Sequence, residues 1–65
     1  MTIQVEDIRV GNNYMMDDGR VLKVESKWTA EDGHERLAFS VVRGEIVGPS
    51  DTSLRDFVAK ALRII

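Results

Sequence analysis

The chain has 65 residues, 43% of them hydrophobic and 31% charged, with no cysteine and a formal net charge of −2. That composition is globular rather than disordered, excludes disulfide and thiolate-metal chemistry, and lacks the positive field that drives general nucleic-acid binding. At this size one domain over residues 1–65 is expected, burying only about 60% of its unfolded surface, with a net stability of roughly 3–5 kcal/mol. No apolar run approaches the roughly 20 residues of a membrane span, and the first residues, with neither a basic region nor an apolar stretch, do not read as a signal peptide. A cytoplasmic location is the resulting expectation.

Glycines at 11, 19, 33 and 44 separate short β-branched runs, a spacing that predicts a meander of antiparallel strands. Residues 3 to 10 form a lead-in that ends at the turn cluster Gly11-Asn12-Asn13. Tyr14-Met15-Met16 predicts a short strand and Asp17-Asp18-Gly19 a hairpin turn. The next strand is expected from Arg20 to about Thr29. Strict alternation there puts Leu22, Val24, Ser26 and Trp28 on the core face and the lysines in water.

Ala30 to Glu35 reads as a polar hairpin tip, followed by a central strand from Arg36 to Arg43 with Leu37, Phe39 and Val41 inward. Arg43-Gly44 is expected as a two-residue turn into a short return strand, Glu45-Ile46-Val47, stopped by Gly48-Pro49. The period then changes. Ser53 is the expected N-cap of a helix whose apolar stripe is Leu54, Phe57, Val58, Ala61 and Leu62. About two and a half turns cannot persist alone, so this helix should pack on the strands before a terminal strand, Arg63-Ile64-Ile65. The expected fold is therefore mainly β: a small five-stranded antiparallel barrel of SH3-like type, with one short helix before the last strand.

Two resemblances accompany that order. Asp7-Ile8-Arg9-Val10-Gly11, Tyr14-Met15-Met16-Asp17, Gly19 and Val24 resemble the start of the N-terminal KOW-like domain of translation elongation factor P. That family carries a modified lysine at the following hairpin tip, where this chain has Glu31-Asp32-Gly33-His34, so the likeness implies the fold without the ribosomal role. The whole-chain pattern, with Gly11 to Tyr14, a turn glycine, a valine-rich strand and a Phe-containing turn before an Arg-x-Ile end, is similar to small SH3-like proteins of phages and prophages. That likeness implies a regulator or inhibitor carried by a mobile element. Plasmid-borne dihydrofolate reductases share the barrel, but their Val-Gln-Ile-Tyr motif does not occur here.

No catalytic constellation stands out. The one histidine, His34, falls in an exposed tip beside Asp32 and Glu35 and reads as a solvated loop residue rather than a general base. Asp17-Asp18 reads as turn chemistry, because a calcium loop needs about six oxygens at set spacing. No cofactor and no metal are expected. The residues suited to a partner contact are Trp28, Lys27, His34, Arg36 and Met15, with Trp28 weighed between closing the barrel end and facing outward. Val21 and Val42, opposite the expected core face, read equally as a self-association strip or as a strip covered by the C-terminal helix.

The first functional expectation is a non-enzymatic module that binds another protein. A nucleic-acid or ribosome accessory using Lys23, Lys27, Arg36 and Arg43 around Trp28 is the second, disfavoured by net charge. A homodimer stays open, and an oligomeric enzyme with its site on a symmetry axis ranks last.

Overall fold

In the computed structural model, which describes residues 3–46 and 48–65, five antiparallel strands form one sheet. They are β1 (Asn13–Met16), β2 (Val21–Thr29), β3 (Glu35–Arg43), β4 (Asp51–Ser53) and β5 (Ala61–Ile64), in the spatial order β4-β3-β2-β1-β5. A single helix, α1 (Leu54–Lys60), joins β4 to β5, and a 3-10 turn, Val5–Asp7, lies in the lead-in.

The sheet is open, with β4 and β5 at its edges, but it cannot be flat. Four inter-strand gaps would separate those edges by about 19 Å. The seven residues of α1 rise only about 10 Å. The sheet therefore curls, and α1 lies across the concave side. Leu54 and Phe57 point from the helix into a core of Ile3, Ile8, Tyr14, Met16, Leu22, Val24, Leu37 and Ala61. Phe39, Val41 and Val58 pack against its margin. The Phe57 ring meets Tyr14 edge-on, centroids 5.5 Å apart at 89°, and tilts against Phe39 at 6.2 Å.

Local chemistry explains most boundaries. Asp17-Asp18-Gly19 turns β1 into β2 with Gly19 at φ +89, a conformation a side chain resists. The N–H of Gly19 donates to the Met16 carbonyl at 3.0 Å. Ser53 caps α1, its hydroxyl accepting from the Asp56 N–H at 3.1 Å, as its position before the apolar stripe predicts.

Three expectations need correction. The return strand does not follow Gly44: Glu45 and Ile46 are irregular, Val47 lies outside the described residues, and the fourth strand is Asp51–Ser53. A two-residue hairpin turn needs positive φ at its first central residue, and Arg43 does not supply it; no non-glycine residue described here has one. The chain instead leaves the sheet at Gly44, φ +108, and returns after Pro49, where the Phe39 N–H donates to the Ser50 carbonyl at 2.8 Å.

The helix also stops earlier than its stripe implies. Ala61 is already extended (φ −80, ψ 131), so Leu62 is exposed and the last strand starts at Ala61 rather than Arg63. Pairing with β1 (Tyr14 opposite Ile64, Met15 opposite Arg63) outweighs one more helical turn.

The third correction concerns β2. Its register with β3 shifts between Val24 and Ser26: Val24 faces Phe39, Ser26 faces Ala38, and Glu25 is the extra residue of a bulge. Beyond it the alternation inverts. Lys27 now opposes the fully buried Leu37 on the concave face, and Trp28 opposes Arg36 on the convex one. Ser26 and Trp28 are therefore not core residues.

Candidate functional site

The bulge decides what the convex face offers. Trp28, 42% exposed, is the one exposed aromatic of the chain; Tyr14 and Phe57 are buried, and Phe39 borders the core. Around it the face carries small residues, with Ser26 and Ala38 paired across β2 and β3. Arg36, directly across from Trp28, is held by Asp51 of β4 through Nη2 to Oδ2 at 3.2 Å. Arg36 pairs in register with Ser53, so β4 fixes the far side of this patch.

Of the five residues singled out from the sequence, Trp28 and Arg36 pair directly across the hairpin, and His34 meets Arg36 along an open cleft beside it. Lys27 is turned under, its Nζ donating to the Ile8 carbonyl at 2.9 Å, where it closes one end of the core. His34 is exposed in the β2–β3 tip, its backbone N–H donating to Asp32 Oδ1 at 3.0 Å. Met15 lies half-buried on the convex face beside Val21 and Arg63, at the opposite end of β2. From Val21 to Trp28 is seven residues of strand, about 23 Å. Asp51, which positions Arg36, had no signal in the sequence because its strand did not.

The valine pair separates as well. Val21 is buried opposite Met15 and Arg43, whereas Val42, the extra residue of a second register shift, is 55% exposed. They do not form a continuous strip. α1 packs on the concave side, against β3, β4 and the 3-10 turn.

The cations named for a nucleic-acid surface are dispersed too. Lys23 lies 3.9 Å from Glu25, Lys27 is on the concave face, Arg36 is engaged by Asp51, and Arg43 sits at the far end of the hairpin.

Two open clefts flank the sheet. One runs between the hairpin tip and the start of α1, lined by His34, Arg36, Ser53 and Arg55 among others. Another, floored by Met16, Leu22, Phe39 and Phe57, opens between Pro49 and Lys60. Among the described residues no three His, Asp or Glu side chains converge as a metal-holding group. No described helix is long and apolar enough to cross a membrane. No protein-family model, curated protein or solved structure matches this chain.

Proposed function

We propose that this chain is a non-enzymatic interaction module, an SH3-like barrel that contacts another protein through the convex face of the β2–β3 hairpin around Trp28. The observation that carries the reading is the bulge at Glu25, which turns a large aromatic out of the core onto a face of small residues. An exposed tryptophan with low surroundings is the kind of anchor that dominates protein contacts. The SH3-like assignment is supported by β1 lying between β2 and β5, and by the helix joining the two edge strands. The likeness to phage and prophage proteins makes a regulator or inhibitor carried by a mobile element the proposed setting.

The test uses the chain and its Trp28→Ala variant as baits in parallel, after checking that their thermal melts coincide. Capture of a protein by the parent and its loss with the variant is the expected result. Equal capture by both baits, or tight RNA binding with no protein recovered, overturns the proposal.

A further inference from the structure

The charge of this molecule is not evenly spread. Residues 25–36 hold four acids (Glu25, Glu31, Asp32, Glu35) against two cations (Lys27, Arg36); the rest of the chain has seven of each. The whole net charge of −2 therefore resides on the distal half of the β2–β3 hairpin, the half that presents Trp28. Both local cations are already committed, Lys27 to the Ile8 carbonyl and Arg36 to Asp51. Glu31, Asp32 and Glu35 make no ion pair with any described residue.

On these grounds we infer that the segment docking against Trp28 is cationic: an arginine- or lysine-bearing stretch of the partner protein. The inference rests on the interaction-module reading and names the chemistry of its partner. An indole face attracts a cation through its quadrupole, and a guanidinium can stack on it while also donating to carboxylates. The small residues Ser26 and Ala38 leave room beside the ring for such a group. The tip carboxylates, none of them in an ion pair among the described residues, attract the same charge and repel a phosphate backbone.

Trp28 is the sole tryptophan, so its emission reports docking directly. The probe is an eight-residue peptide alternating arginine and glycine, compared with its glutamate counterpart and with a short oligothymidylate. Two variants share a net-charge change: Glu31→Gln with Asp32→Asn and Glu35→Gln at the tip, and Glu6→Gln with Asp17→Asn and Glu45→Gln elsewhere. The arginine peptide is expected to shift Trp28 emission, with affinity falling as salt rises. Neutralising the tip should weaken it by about threefold or more, while the distant variant stays at the parent value. Equal binding of the glutamate peptide or the oligonucleotide overturns the inference, as does a tip variant that binds like the parent. If Trp28→Ala still abolishes capture of a protein partner in that case, the cationic chemistry falls and the interaction-module reading stands.

Discussion

Tyr14 does two jobs that its position in a strand does not announce. Its ring fills the core against Phe57, while its hydroxyl reaches the lead-in. There the hydroxyl donates to the Asp7 carbonyl at 2.7 Å and accepts from the Arg9 N–H at 2.9 Å and from Asn12 Nδ2 at 3.4 Å. The Gly-x-x-Tyr spacing is thus a clamp on the 3-10 turn, a structural role rather than a binding signature. Tyr14→Phe leaves the Asp7 carbonyl and Arg9 N–H without this partner and should cost about 1–3 kcal/mol, read as a lower urea midpoint at unchanged slope. Asp18 supplies a second test. The Arg20 backbone N–H, at 3.0 Å, is the main cause that holds its carboxyl below the ordinary aspartate value; desolvation opposes it, and the Arg20 guanidinium at 2.7 Å adds to the lowering. A carboxyl depressed in the folded state contributes stability above its unfolded value and loses it as pH falls through the folded one. A carbon-13 titration should therefore place Asp18 below the usual aspartate range in the native protein; a midpoint at the ordinary value counts against this turn geometry.

At the scale of elements, the bulge at Glu25 has the largest consequence. Alternation is the only rule a lone sequence offers for the faces of a strand, and one unpaired residue inverts it. Nothing in the stretch Val24-Glu25-Ser26 marks the shift, since Glu25 resembles any solvent-facing strand residue. The two readings of β2 diverge when Glu25 is deleted. If strict alternation held, the deletion would move Trp28 from the core to solvent and redden its emission. With the bulge, removing the extra residue leaves Lys27 opposite Leu37 and Trp28 opposite Arg36. Unchanged Trp28 emission and acrylamide quenching are therefore expected. The apolar stripe misjudged the end of α1 for a related reason: Ala61 and Leu62 continue the helical period, yet the backbone there is claimed by β1.

Across the whole molecule, stability depends on the short helix that bridges the two edges of the curled sheet. Phe57, buried at the centre, touches Tyr14 and Phe39 from the opposite layer. A buried Phe→Ala truncation costs about 3–5 kcal/mol, comparable to the entire net stability expected of so small a domain. Phe57→Ala should therefore leave the chain largely unfolded at room temperature, seen as loss of the cooperative thermal transition. Trp28→Ala should melt like the parent, since the ring lies outside the core cluster. The contrast separates the aromatic that holds the fold from the one offered to a partner.

By itself the sequence determined the first three strands to within a residue or two, the inward set Leu22, Val24 and Leu37, and the Ser53 cap. These follow from rules that act over a few residues: turn chemistry, alternation and helix capping. Only the tertiary structure decided where β4 lies, where α1 ends and which way Trp28 points. Each depends on which residue of another strand stands opposite, and register is settled by long-range pairing and core burial rather than by the neighbours along the chain.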